Sequence, residues 1–120
     1  MLRSLLGGRF PESYYELLNA EGIELLEEDV KIAITYRRHG RKRTMRGAIA
    51  VTERRLAVWG APGKQIDVPF ADPKFAALEF STDDGLVIAF DAAALDSKQS
   101  GRVEMRLRIA EPERIAHTLR

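Results

Sequence analysis

Along the chain the spacing of apolar and polar positions changes twice. Near the start, Tyr14, Leu17 and Leu18 fall at i, i+3 and i+4, which puts an apolar stripe on one face of a helix. Pro11 suits the first turn, where its missing N–H costs nothing, and Glu12 favours the positive end of the helix dipole. Gly22 supplies a stop, so the spacing predicts a helix over 11–20. From about residue 30 the period becomes two. Ile32, Ile34 and Tyr36 alternate with Ala33 and Thr35, and His39-Gly40-Arg41-Lys42 reads as a hairpin turn. Strands are predicted over 44–51, around Leu56 to Trp59, around Ile66 to Phe70, at Leu78 and Phe80, and over Leu86 to Phe90.

The connections carry turn chemistry: Thr52-Glu53-Arg54, Gly60-Ala61-Pro62-Gly63 and Ser81-Thr82-Asp83-Asp84-Gly85. Asp72-Pro73 interrupts a ladder, since Pro cannot donate to it. The stretch 92–99 fits either a helical turn or the end of a strand. Then Val103, Met105, Leu107 and Ile109 alternate with Arg102, Glu104, Arg106 and Arg108, apolar inward and charged outward. Pro112 opens a last short helix, with Ile115 and Leu119 four apart. The expected architecture is mainly β, or α+β by count. It is an antiparallel seven-stranded sheet or partly open barrel with a C-terminal helix and an extra N-terminal helix. No βαβ rhythm is present. The reading divides the chain into an N-terminal helical extension, 1–29, packed on a domain spanning 30–120.

Composition narrows this picture. A chain of 120 residues is long enough for one real core without staples, and the absence of Cys removes disulfides, thiolate metal sites and Cys nucleophiles. The formal net charge of +1 gives no global attraction to nucleic acid or membrane. No apolar stretch approaches the length of a membrane span, and the opening Met1 to Phe10 is too interrupted for a signal-peptide core. The chain reads as cytoplasmic, with a peripheral membrane contact left open.

Gly47-Ala48-Ile49-Ala50-Val51-Thr52-Glu53-Arg54-Arg55-Leu56-Ala57-Val58-Trp59 has a Gly, a short apolar strand, Thr, a turn, Arg-Leu and a second apolar strand. Ile66-Asp67-Val68-Pro69-Phe70 follows as another strand. This pattern resembles the pleckstrin-homology-like superfamily, in its GRAM and bacterial PH-like branch, over roughly residues 30–119. The helix after Glu111 lacks the Trp of many eukaryotic PH domains; the single Trp is Trp59. The resemblance implies an interaction module in which lipid binding is far from universal, and it implies the first hairpin as the head-group site where lipid is bound.

Catalytic motifs are missing from the spacing. His39 and His117 lie far apart, no phosphate-loop template or Gly-x-Ser-x-Gly elbow occurs, and Asp83-Asp84 sits in a turn. The chain reads as a non-enzyme with no cofactor, no metal and no evident small-molecule substrate; a small enzyme assembled from distant residues is the weakest alternative. The strongest local feature is charge. Arg37, Arg38, Arg41, Lys42, Arg43 and Arg46 fall within ten positions that contain no acid. Such a hairpin reads either as a solvated edge that resists aggregation or as an anion-binding site. Glu12, Glu16, Glu21, Glu24, Glu27, Glu28 and Asp29 form an acidic region able to neutralise it within the chain or across a pair of subunits. Too few aromatics interleave with the cations for a nucleic-acid reading. The leading expectation is a non-catalytic module for protein binding or self-association. The alternative is binding of anionic phospholipid or another anion through the hairpin 37–46. Trp59, on the face opposite Leu56 and Val58, is expected to cover a barrel mouth or to pack under a helix, and the apolar residues Leu2, Leu5, Leu6, Phe10 and Tyr14 to cap the sheet.

Overall fold

The computed structural model describes residues 8–37 and 40–120. Leu2, Leu5, Leu6, Arg38 and His39, all named above, lie outside the described residues. In chain order the elements are helix α1 (Glu12–Glu21), strands β1 (Ile23–Tyr36), β2 (Arg41–Thr52), β3 (Arg55–Gly60) and β4 (Gly63–Pro69), and a 3₁₀ turn (Pro73–Ala77). Strands β5 (Glu79–Thr82) and β6 (Leu86–Asp91), helix α2 (Ala92–Leu95), strand β7 (Arg102–Leu107) and helix α3 (Pro112–Leu119) complete it. The fold is mainly β. Seven antiparallel strands form one hydrogen-bonded sheet in the order β4-β3-β2-β1-β7-β6-β5, with a helix at each end of the chain.

The chain divides into two compact units, one made of residues up to 30 with 45–72, the other of 31–44 with 73–120. Strands β1 and β2 give a segment to each.

In the first unit, α1 lies over small side chains. Phe10 and Leu18 are buried against Ala48, Ala50 and Ala57, and Tyr14, Tyr15, Ile23, Leu26 and Trp59 pack around them. Alanines on β2 and β3 leave room for a helix to approach, and the aromatics fill it. Ile49, Val51, Leu56, Val58, Ile66 and Val68, at the alternate positions of β2, β3 and β4, are also buried. Both sets of β2 side chains are therefore out of water, which explains the unbroken apolar run after Gly47. Thr52 is the one buried polar side chain among the described residues. Its hydroxyl donates to Glu21 Oε1 and accepts from the Arg54 and Arg55 amides, each at 3.0 Å, which sets the tight β2–β3 turn.

In the second unit, β7 pairs with β1 on one side and β6 on the other. Ile32, Ile34, Ile88, Val103, Met105 and Leu107 are buried, and α3 packs on β5 and β6 with Ile115, Ala116 and Leu119 inward. The alternation read over 102–109 holds for the strand, which ends at Leu107. The ambiguous stretch resolves into the four-residue helix α2, capped by Asp91, whose Oδ1 accepts from the Ala93 amide at 3.0 Å.

One expectation needs correction. Residues 23–29 are strand, not part of a helical extension, because β1 begins at Ile23. Gly22, at φ 86°, ends α1, and its carbonyl accepts from the Glu53 amide at 3.1 Å, which turns the chain straight into the sheet. The acids of Ile23-Glu24-Leu25-Leu26-Glu27-Glu28-Asp29 break the alternation that marks a strand.

Candidate anion-binding surface

The described cations of the basic hairpin find different partners. Arg37 Nη2 donates to Glu104 Oε1 at 2.9 Å, on the paired strand β7. Arg38 lies outside the described residues. Arg46 belongs to the first unit, where its Nη1 donates to the Asp29 carbonyl at 3.0 Å. Arg41, Lys42 and Arg43 are exposed and have no ion-pair partner among the described residues. The acidic region is partly committed elsewhere: Glu28 pairs with Arg9 at 2.8 Å, and Glu21 with Arg55 at 2.6 Å.

The structure instead brings Lys42 to cations that lie far from it in sequence. Lys31 and Ala33 of β1, Lys42 and Thr44 of β2, and Arg106 and Arg108 line a groove of about 160 Å³. Register explains the grouping. Ala33 stands opposite Arg106, Ile32 opposite Leu107, and the Arg108 amide donates to the Lys31 carbonyl at 3.0 Å. Residues 31, 33 and 35 therefore share a face with 104, 106 and 108. A smaller hollow of about 40 Å³ adjoins it, lined by Ala33, Thr35, Lys42, Val87, Glu104 and Arg106. The floor is made of small side chains and the walls of long charged ones. That contrast makes a depression on a sheet face.

The β5–β6 turn answers this charge. Arg106 Nη2 donates to Asp83 Oδ2 at 3.0 Å, and Arg108 Nη2 lies 2.8 Å from Asp84 Oδ2. Two carboxylates of this turn thus pair with two of the four cations, and Glu104, paired with Arg37, lines the adjoining hollow. Lys31, like Lys42, has no ion-pair partner among the described residues. The Arg106 side chain is 38% exposed, yet its Nε is buried with no hydrogen-bond partner. An unsatisfied buried donor of this kind costs about 1–3 kcal/mol. At the far edge, Arg102 and Glu79 pair at 2.8 Å; the hydrogen bond holds the Glu79 carboxyl below its ordinary range and raises the Arg102 guanidinium.

Lys31, Arg106 and Arg108 were not among the residues singled out from sequence. The outward set of Arg106 and Arg108 was visible in the alternation. The partner of that strand was not, and only the β1–β7 pairing sets Lys31 beside them.

Apolar surface is scarce. Trp59 packs edge-on to Phe10 and tilted against Tyr14, as expected, with ring centroids 6.1 and 4.8 Å apart. Leu17, 40% exposed, is the one large exposed hydrophobic among the described residues. No helix of the described residues is long and apolar enough to cross a membrane. Among them no three His, Cys, Asp or Glu side chains gather as a metal site. Set against family models, curated proteins and solved structures, the chain matches none.

Proposed function

We propose that this chain is a non-catalytic interaction module of the PH-like kind, working in the cytoplasm, and that it engages an acidic surface through the β1–β2 hairpin. One observation carries the reading: Arg41, Lys42 and Arg43 stand exposed and without ion-pair partners among the described residues. The apolar face of α1, the other natural docking surface, is already spent inside the first unit. Each cation near an anionic surface contributes about 1 kcal/mol before screening by salt. Three such residues give weak, salt-sensitive attachment, suited to a peripheral contact.

Sedimentation with vesicles tests this. The protein is expected to pellet with phosphatidylcholine vesicles containing phosphatidylserine and to stay in solution with phosphatidylcholine alone. Arg41→Glu with Arg43→Glu should abolish the difference. Equal sedimentation of wild type and variant on the acidic vesicles removes the lipid surface as the partner.

A second reading, association of two copies, is favoured by a different observation. Glu12, Glu16 and Glu24 are exposed and offer the opposite charge to a neighbouring hairpin. Light scattering at low and high salt measures it directly. A monomeric mass at both excludes it.

A further inference from the structure

The geometry points to a second, more specific site: the groove of Lys31, Lys42, Arg106 and Arg108 binds a phosphate-class oxyanion, and Asp83 and Asp84 serve as the internal counter-anion that such a ligand displaces. This goes beyond the hairpin surface: Arg41 and Arg43 take no part in it, and the two share Lys42 alone.

Charge in the groove is unbalanced. Four cations converge on one depression from three chain segments, and two of them are held by the carboxylates of a single turn. Lys31 and Lys42 remain uncommitted among the described residues. Like charges brought together on a sheet face repel, and the arrangement persists because the backbone register fixes it. An oxyanion relieves the repulsion by accepting from several donors at once, which one carboxylate on a turn cannot do for all four.

Donor type points to the ligand class. Two guanidinium groups and two ammonium groups offer charge-assisted donors, which suit a ligand with several anionic oxygens. Arg106 has one donor committed to Asp83 and another, Nε–H, without a partner. The Thr44 hydroxyl and the Ala33 methyl complete the lining. A volume of about 160 Å³ admits a single phosphate monoester head and not a large ring system. The turn that carries Asp83 and Asp84 is fixed by backbone geometry, with Asp84 at φ 55° and Gly85 at φ 139°, so the two carboxylates are presented to the arginines and not merely near them.

Competition follows from this arrangement. An anion that engages the Nη2 groups of Arg106 and Arg108 takes them from their aspartates. Removing the aspartates therefore strengthens binding, whereas removing the lysines weakens it.

Isothermal titration of the full chain with inorganic phosphate and with glycerol 3-phosphate at low salt is the test. Lys31→Gln with Lys42→Gln should weaken binding by about fivefold per lysine removed, the worth of one cation beside an anionic group. Asp83→Asn with Asp84→Asn should tighten it several-fold. All four positions are exposed, and unchanged thermal unfolding of the variants without ligand checks that they fold. Arg41→Glu with Arg43→Glu should leave phosphate binding intact, so failure of the hairpin reading and failure of this one are separately visible. Vesicles containing phosphatidic acid form the last arm: tight pelleting that Lys31→Gln alone abolishes assigns the phosphate to a lipid, and binding of the soluble esters alone assigns it to a free ligand. Equal titration curves for wild type and the lysine variant, or weaker binding after removal of the aspartates, overturn the proposal.

Discussion

Arg55 closes a fork on Glu21: its Nη2 lies 2.6 Å from Oε2, and its Nε donates to Oε1 at 2.8 Å. Its remaining arm, Nη1, donates to Asp67 Oδ1 at 2.8 Å. One guanidinium thus joins the last residue of α1 to β3 and β4. The three side chains are 19%, 9% and 15% exposed for Arg55, Glu21 and Asp67. The charges are therefore largely out of water and depend on one another. Tyr14 stands beside them. Burial first, then the Asp67 carboxylate, pushes its phenol upward, although its hydroxyl has no partner with hydrogen-bonding geometry.

Replacing Arg55 with Met leaves two carboxylates without their cation. Removing one partner of a fully buried pair costs about 3–5 kcal/mol. Residual exposure lowers that, so Arg55→Met is expected to destabilise by about 2–4 kcal/mol. Glu21→Gln keeps an acceptor for the Thr52 hydroxyl and costs less. Urea unfolding with an unchanged slope measures both. A loss under about 1 kcal/mol for Arg55→Met would mean that water already supports these carboxylates.

The same network makes stability depend on pH. The Arg55 fork, the first cause, and the Thr52 hydroxyl hold the Glu21 carboxyl below its ordinary range. At Asp67 burial pushes upward, but the hydrogen bonds and charge of Arg55 outweigh it and the carboxyl again lies low. A carboxyl lowered by folding stabilises the native state above its unfolded value, about 4.3 for Glu and 3.9 for Asp. That contribution disappears as pH falls through the still lower folded value. Wild type is therefore expected to lose stability from about pH 5 downward. Asp67→Asn should lose less over the same descent, so the gap between the two closes in acid. Parallel curves would show that Asp67 gains nothing from Arg55.

How much of this was legible beforehand depends on which interaction fixed each feature. The meander from Ile32 onward rests on side chains alternating within one strand, and local spacing reveals it. The face of Trp59 was readable for the same reason, since Leu56 and Val58 point the other way, but that α1 is what covers it was not. The start of β1 was hidden, because Glu24, Glu27, Glu28 and Asp29 break the period that marks a strand. The groove was hidden more deeply. Its parts, Lys31, Lys42 and Arg106, are scattered along the sequence, and only the placing of β1 between β2 and β7 joins them. The partners of the hairpin's cations were hidden too: Arg37 finds Glu104 and Arg46 the Asp29 carbonyl, and charge density along a chain says nothing about which partner each side chain finds.

Gly85 shows how little freedom the β5–β6 turn has. Its φ is 139°, and a Cβ there would stand 2.7 Å from the Leu107 carbonyl oxygen. That neighbour is backbone of β7 and cannot move without loss of the β6–β7 ladder. Gly85→Ala combines a conformation that L residues avoid with a fixed steric contact, so a loss of about 2–4 kcal/mol is expected. If the turn shifts to relieve it, Asp83 and Asp84 lose their arginines. Amide exchange at the turn would then rise together with the drop in melting temperature. A variant as stable as wild type would show that the turn has another conformation of similar energy.

The single tryptophan, Trp59, reports on the seating of the segment around Phe10. Phe10 is buried, stacks on Tyr14 with centroids 5.6 Å apart, and meets Trp59 edge-on. Tyr14 and Trp59 are half-buried. Phe10 therefore stands between helix and sheet, so its removal opens a cavity that reaches the indole. Phe10→Ala is expected to cost about 3–5 kcal/mol, the usual range for losing a buried ring. Trp59 emission should move to longer wavelength as water gains access. Phe10→Leu keeps most of the volume and should cost less than half as much, with emission near that of wild type. Because the chain holds one Trp, the spectrum reports this site alone. An unchanged emission maximum in a destabilised Phe10→Ala protein would mean that α1 stays seated on Ala48, Ala50 and Ala57 without the ring, so that Leu18 anchors the helix instead.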